Sequence, residues 1–120
     1  MADPPRVHVL IDDLFFRSKV EATARALDVA VHFAKSADDL SDRLAGDPDA
    51  IVLVDLNHPA DPVAAIRALK DDSPSPRVVA FGSHVDTERL KAARDAGADR
   101  VLARSAFTDR LAEILRGESR

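Results

Sequence analysis

Three aspartates have the residue type and the spacing to do chemistry at one shared site. Asp12 and Asp13 directly follow the mostly apolar residues 7–11, and Asp55 directly follows the apolar residues 50–54. Carboxylates that lie close together repel one another, so such a cluster either holds protons or binds a cation. A hard divalent ion with oxygen ligands, magnesium most naturally, fits three aspartates. The trio therefore predicts a cation site, provided that the two apolar runs form neighbouring strands.

Each aspartate also has a purely structural interpretation. Asp12 or Asp13 caps the following helix by accepting hydrogen bonds from its first N–H groups. Asp55 satisfies backbone donors in the turn before Pro59. Both interpretations stay open for these residues, and the matching positions of all three at strand ends favour a shared site.

Five short strand candidates alternate with helical patterns and would position these aspartates. The candidates cover residues 7–11, 29–33, 50–54, 77–81 and 100–103. A continuous apolar run bounded by turn formers is typical of a strand buried on both faces. The alternation predicts a three-layer α/β/α fold with a five-stranded parallel sheet and right-handed crossovers. The carboxyl ends of such strands share one edge, which is where open α/β sheets bind ligands.

Capping and helix-stopping residues predict where the helices begin and end. The predicted starts are Asp12 or Asp13, Ser36, Asp61 with Pro62, Asp86 or Thr87, and Thr108, and the predicted ends are residues 46–48, Gly97 and Gly117. The first helix should bury Phe16, Val20, Ala24 and Leu27, which recur at helical spacing.

Composition narrows the function classes. The 120 residues suit one domain spanning 1–120, with an expected ordered core of about 6–116. A net charge of −4 argues against a nucleic-acid or anionic-membrane surface. The absence of cysteine excludes disulfides, zinc–thiolate sites and a cysteine nucleophile. No stretch approaches the roughly 18 apolar residues of a membrane span, and the amino end does not resemble a signal peptide, so we expect a cytoplasmic protein.

Over residues 6–116 the sequence resembles the receiver domain of bacterial two-component response regulators. The resemblance rests on the pair Asp12-Asp13, on Asp55, on Pro59 four positions later, and on the triplet Gly-Ala-Asp at 97–99. It implies a flavodoxin-like topology for the predicted parallel sheet.

The resemblance implies a role for each residue that matches the family motif. Asp12, Asp13 and Asp55 would bind Mg²⁺, and the backbone carbonyl of Asn57 would complete the metal site. Asp55 would be the phosphoacceptor that takes a phosphoryl group from a histidine kinase. The ion would neutralise charge and orient the reacting groups in line. The aspartyl phosphate would then add charge and acceptor oxygens that reposition a loop.

Several positions depart from the family pattern and predict an atypical receiver, among them Ser105, where the family usually has Pro. The family usually has Thr or Ser at the end of the fourth strand and Lys at the end of the fifth, where this sequence has Gly82 and Arg104. Ser83 is expected to supply the missing hydroxyl, and Arg104 keeps the positive charge on a planar guanidinium. The aromatic switch residue of the fifth strand is replaced by Val101 or Leu102. The metal-binding residues are thus kept, whereas those that read the phosphoryl group are altered.

We weigh three functional hypotheses. The first is a stand-alone, non-enzymatic atypical receiver that signals by protein–protein contact, gated by magnesium-dependent phosphorylation of Asp55. We expect no output domain to follow, so the expected partners are a histidine kinase, a separate effector or a second copy in a dimer. The resemblance implies that the fourth helix, fifth strand and last helix form the contact face. The second hypothesis is a phosphorylation-independent interaction module.

The third hypothesis is a small-molecule-binding, flavodoxin-like domain that uses the same strand-end pocket. No glycine-rich phosphate loop follows any predicted strand, and no nucleophile–base pair is recognisable. No catalytic residue is therefore predicted, and this hypothesis ranks last.

Overall fold

Strands and helices alternate along residues 6–44, 49–71 and 75–117, which are the residues described by the computed structural model. In chain order the elements are β1 Val7–Leu10, α1 Leu14–Ala26, β2 Val31–Phe33, α2 Ala37–Leu44, β3 Ile51–Asp55, α3 Pro62–Asp71, β4 Arg77–Gly82, α4 Thr87–Asp95, β5 Arg100–Ala103 and α5 Arg104–Leu115.

All five strands are parallel and form one sheet in the order β2-β1-β3-β4-β5. β3 lies at the centre, where Leu53 is level with Val9 of β1 on one side and with Val79 of β4 on the other. The adjacency of β1 and β3, on which the predicted aspartate site depends, is therefore confirmed. So is the predicted five-stranded parallel sheet.

The alternation of side chains along β3 explains why helices cover both faces of the sheet. Val52 and Val54 belong to the core beneath α2, α3 and α4, whereas Leu53 belongs to the core beneath α1 and α5. Successive strand residues point to opposite faces, so an unbroken apolar run needs an apolar layer on each side. Full burial of each such side chain contributes about 1.5–3 kcal/mol. The three-layer prediction is confirmed.

The predicted helix starts agree with the structure for four of the five helices. Asp13 and Asp86 are the N-caps of α1 and α4. Ser36 Oγ accepts a hydrogen bond from Asp39 N (3.1 Å), and Asp61 Oδ1 accepts one from Ala64 N (3.2 Å). Each cap satisfies a backbone N–H group that the first helical turn leaves without a partner.

The predicted start of the last helix at Thr108 is wrong, because α5 begins at Arg104. The buried face of α5 extends back to Phe107, which is fully buried and lies four residues before Leu111. The Phe107 ring stacks on Phe81 of β4 with 3.9 Å between the ring centroids. Packing of this ring draws the first turn into the helix, although no side chain caps it.

Smaller differences concern strand ends. β2 begins at Val31 rather than at residue 29, and β4 extends to Gly82. The predicted helix end at 46–48 lies outside the described residues. Within the described ranges, no helix combines the length and the apolar composition needed to cross a membrane.

Candidate functional site

Asp55 is the last residue of the central strand and is 1% exposed. Its Oδ1 accepts a hydrogen bond from Asn57 N at 2.9 Å, and its carbonyl accepts one from His58 N at 3.0 Å. A buried carboxylate is costly unless polar partners surround it, so these bonds fix both the side chain and the turn that follows. Asp55 therefore accepts hydrogen bonds from backbone donors in the turn, as its structural interpretation predicts. These bonds do not exclude a role as phosphoacceptor.

Arg104 supplies the positive charge beside this carboxylate. Its Nη2 lies 3.6 Å from Asp55 Oδ1, and its guanidinium carbon lies 5.5 Å from the ring centroid of Phe16. Because β4 lies between β3 and β5, the backbones that carry these two side chains are two strand spacings apart, about 10 Å. The Arg104 side chain is 34% exposed, so one partner of the ion pair is buried and the other reaches solvent.

The acid pair that follows β1 is used differently. Asp13 Oδ1 accepts hydrogen bonds from Phe15 N (2.8 Å) and Phe16 N (3.3 Å), which makes this residue the α1 cap, and Asp12 is exposed. Across the part of the chain that the structure describes, no three His, Cys, Asp or Glu side chains are grouped closely enough to hold a metal ion.

Two of these aspartates have other partners in this structure. Asp13 Oδ1 is bound to helix N–H groups, and Asp55 Oδ1 faces the Arg104 guanidinium. The magnesium site of Asp12, Asp13, Asp55 and the Asn57 carbonyl therefore stays a prediction from the resemblance.

A cavity of about 50 Å³ lies at the carboxyl edge of the sheet, beside the turn after Asp55. Among the residues that line it are Asn57, Gly82, Ser83, Arg89 and Arg104. The structure thus brings together Ser83 and Arg104, the two predicted phosphate contacts. Ser83 Oγ accepts a long hydrogen bond of 3.4 Å from Val85 N.

Arg89 lines the same cavity and was not predicted from the sequence. Its Nη1 donates to the Leu56 carbonyl and to Asn57 Oδ1, both at 3.2 Å, and its Nε lies 3.3 Å from Asp86 Oδ2. The contacts to the β3–α3 turn cross 32 or 33 positions of sequence, so no local pattern could have found them. The only local signal is a basic residue three positions after a helix N-cap.

The Gly-Ala-Asp triplet at 97–99 lies far from this edge and supports the fold. Asp99 Oδ2 accepts hydrogen bonds from Val78 N (2.8 Å) and Lys70 Nζ (2.8 Å). Gly97 has φ +106°, a conformation that favours glycine, after the end of α4. The triplet holds the beginning of β4 and contributes nothing to the cavity.

Sequence comparison found nothing: no family model matches the chain, and none of the curated proteins matches it. Structural comparison gave clear similarities.

A response regulator (signal receiver domain) from Bermanella marisrubri is similar with a TM-score of 0.77 and 25% identity, over 93% of this chain and 95% of that one. The receiver domain of NtrX from Brucella abortus gives 0.75 and 20% identity, over 93% and 96%. The phosphorylated cyanobacterial phytochrome response regulator RcpA gives 0.71 and 15% identity, over 92% and 88%.

These similarities extend over nearly the whole chain on both sides of each comparison. They support the five-stranded parallel sheet with its helices. The chain therefore has the fold of response-regulator receiver domains.

Proposed function

We propose that this protein is a signalling module of the receiver type, which acts by contact with a protein partner and is regulated by phosphorylation of Asp55. The observation that carries the proposal is the pair formed by Asp55 and Arg104 beside a cavity at the carboxyl edge of the sheet. The receiver fold supports it, as does the phosphorylated state in which RcpA was solved. The departures at Gly82 and Arg104 make the module an atypical one.

The chemistry assigned to Asp55 is nucleophilic attack on phosphorus. An Oδ atom forms the new O–P bond while the bond from phosphorus to the donor breaks, and the leaving group keeps the electron pair. The donor is a phosphohistidine of a histidine kinase or a small acyl phosphate. Arg104 stands where it would pair with the added anionic oxygens, and a guanidinium is well suited to that contact.

We further propose a cytoplasmic location and a contact face formed by α4, β5 and α5. The partner would be a histidine kinase, a separate effector or a second copy of the chain. The magnesium dependence implied by the resemblance is part of the proposal and is tested with it.

The test is incubation with acetyl phosphate in the presence of magnesium, followed by intact-mass measurement. We expect the wild-type protein to gain the mass of one phosphoryl group and Asp55→Asn to gain none. Asp109→Asn, an exposed change on α5 with the same loss of charge, should behave as wild type. A parallel sample with chelator in place of magnesium tests the ion requirement. An unchanged wild-type mass, or equal modification of Asp55→Asn, would refute phosphorylation at this site.

A phosphorylation-independent interaction module is the second candidate. It is favoured by Asp13, which caps α1, and by the finding that no three His, Cys, Asp or Glu side chains of the described residues are grouped closely enough to hold a metal ion. This candidate predicts that Asp55→Asn retains partner binding, whereas the first predicts that phosphorylation changes it. The small-molecule candidate is disfavoured, because the cavity of about 50 Å³ is far smaller than the roughly 300–1,000 Å³ of ligand pockets.

A further inference from the structure

Arg89 connects the first turn of α4 to the turn that follows Asp55. Both of its contacts there come from one nitrogen, Nη1, which lies 3.2 Å from the Leu56 carbonyl and 3.2 Å from Asn57 Oδ1. Charge-assisted hydrogen bonds usually measure about 2.7–2.9 Å. The two acceptors are also neutral groups. Arg89 therefore holds the turn by two long bonds that a better acceptor can replace.

The cavity beside the turn after Asp55 is rich in hydrogen-bond donors. Arg89 and Arg104 both line it, and each guanidinium carries five N–H groups. Within the described residues, the Nε atom of Arg104 is buried and has no hydrogen-bond partner. The carboxylates of Asp55 and Asp86 each face one guanidinium at 3.6 Å and 3.3 Å, which leaves most of the donors available.

We propose that Arg89 is a phosphoryl-reading residue and that this cavity is a pocket for a tetrahedral oxyanion. On anion binding, the Arg89 guanidinium leaves the Leu56 carbonyl and Asn57 Oδ1 and pairs with the anion, which Arg104 contacts from the start of α5. The inference rests on the proposed function in one respect, namely that the natural oxyanion is the phosphoryl group carried by Asp55.

The exchange of partners is favourable on electrostatic grounds. A phosphoryl group carries about −1.5 to −2 charges at neutral pH and offers three strong acceptor oxygens. A guanidinium can bind such an anion by two parallel hydrogen bonds, and each of these is shorter than the 3.2 Å bonds that it replaces. Release of Leu56 and Asn57 would uncouple the turn after β3 from α4. Phosphorylation would thus change the contacts of α4. This route does not need the aromatic switch residue, which β5 lacks.

The test is a titration with inorganic phosphate, followed by the arginine Nε–Hε signals and the backbone amide signals in NMR spectra. It is run on wild type and on Asp55→Asn, which removes the carboxylate that repels a free anion. Sodium chloride at matched ionic strength is the control titration. We expect saturable shifts of Arg89 and Arg104 Nε together with the Leu56 and Asn57 amides.

Matched variants of α4 decide whether Arg89 is responsible. In the Asp55→Asn background, Arg89→Gln should weaken phosphate binding about tenfold, the loss expected for one charge-assisted contact. Arg94→Gln, an exposed change on the same helix with the same loss of charge, should leave binding within about twofold. The Arg89 side chain is 53% exposed, so Arg89→Gln should fold. Equal weakening by both variants, a titration that moves Arg104 but not Arg89, or no saturable shift would overturn the inference.

This experiment and the acetyl phosphate experiment fail independently. Phosphate binding through Arg89 in a protein that acetyl phosphate does not modify would leave the oxyanion pocket standing and refute phosphorylation. If acetyl phosphate modifies Asp55 but the Arg89 signal does not shift with phosphate, phosphorylation would stand and the role of Arg89 would be refuted.

Discussion

The Arg104 guanidinium and the buried Asp55 carboxylate face each other past the end of β4, with 3.6 Å between Nη2 and Oδ1. The carboxylate belongs to the central strand, and its counter-charge comes from the first residue of the last helix. The ion pair therefore joins the centre of the sheet to one of its edges.

Loss of this counter-charge should destabilise the fold. We expect Arg104→Gln to lower the free energy of unfolding by about 1–3 kcal/mol, because the buried carboxylate loses its cationic partner. The loss should stay below the 3–5 kcal/mol of fully buried pairs, since Arg104 is 34% exposed. Urea denaturation measures the change. Adding Asp55→Asn should recover part of it, with a coupling of about 0.5–3 kcal/mol, and strictly additive effects would contradict the pairing.

The two glycines at positions 82 and 97 should differ in how much stability an added methyl group costs. A Cβ at Gly82 would lie 3.4 Å from Leu56 Cβ, an ordinary contact, so Gly82→Ala should change stability by less than about 1 kcal/mol. A Cβ at Gly97 would lie 3.2 Å from Lys70 Cβ at φ +106°, so Gly97→Ala should cost about 1–3 kcal/mol. Thermal denaturation compares the two variants. Equal losses would show that the backbone near one of them differs from this structure.

Asp99 should matter to stability although it lies outside the candidate site. Asp99→Ala removes the acceptor of the buried Val78 N–H group, which should cost about 1–3 kcal/mol. Asp95→Ala is the matched control, since its pair with Lys91 is exposed and should be worth less than about 1 kcal/mol. Urea denaturation of both variants is the measurement. A loss for Asp99→Ala no larger than for the control would argue against this bond.

Asp39 should contribute to acid sensitivity. The hydrogen bond from the Lys35 backbone N–H lowers its pKa from 3.8 to about 2, and contacts with His32 and Arg43 act in the same direction. The folded-state pKa lies below the unfolded one, so this stabilisation is present above about pH 4 and is lost as pH falls towards 2. Asp39→Asn should flatten the pH dependence of the denaturation midpoint between those values. The neighbouring Asp38→Asn should leave it unchanged, and equal behaviour of the two variants would contradict this origin.

Two substitutions at Asp13 should separate its capping role from a role in phosphorylation. Asp13→Ala should cost about 1 kcal/mol through loss of the α1 cap, whereas Asp13→Ser should keep most of that stability, because serine is also a good cap. Both remove the carboxylate. If Asp13 also binds magnesium as the resemblance implies, Asp13→Ser should slow modification by acetyl phosphate while remaining stable. If Asp13→Ser is modified at the wild-type rate, Asp13 acts only as the cap of α1.

The sequence predicts the sheet well because its signals are local. The apolar run at 50–54 must be buried on both faces, and caps such as Asp13 and Asp61 act within three residues. The start of α5 could not be predicted in this way. Thr108 is a good local cap, yet Phe107 stacks on Phe81 of another strand, and that tertiary contact decides the boundary.

The candidate site shows the same division between local and distant signals. Asp55 and Arg104 could be placed at strand ends from the order of the elements, and the structure pairs them. The contacts of Arg89 depend on how the β3–α3 turn meets the start of α4, which no spacing in the sequence reports.

The junction between β5 and α5 restricts how Arg104 can move. β5 ends at Ala103 and α5 begins at Arg104, so no connecting residue lies between them. The backbone there belongs to a strand on one side and to a helix on the other, whereas the longer β4–α4 connection spans residues 83–86. Reorientation of the guanidinium therefore amounts to side-chain rotamer exchange with little movement of the backbone. A larger rearrangement of the backbone at this edge of the sheet would therefore occur in the β4–α4 connection, which carries Ser83.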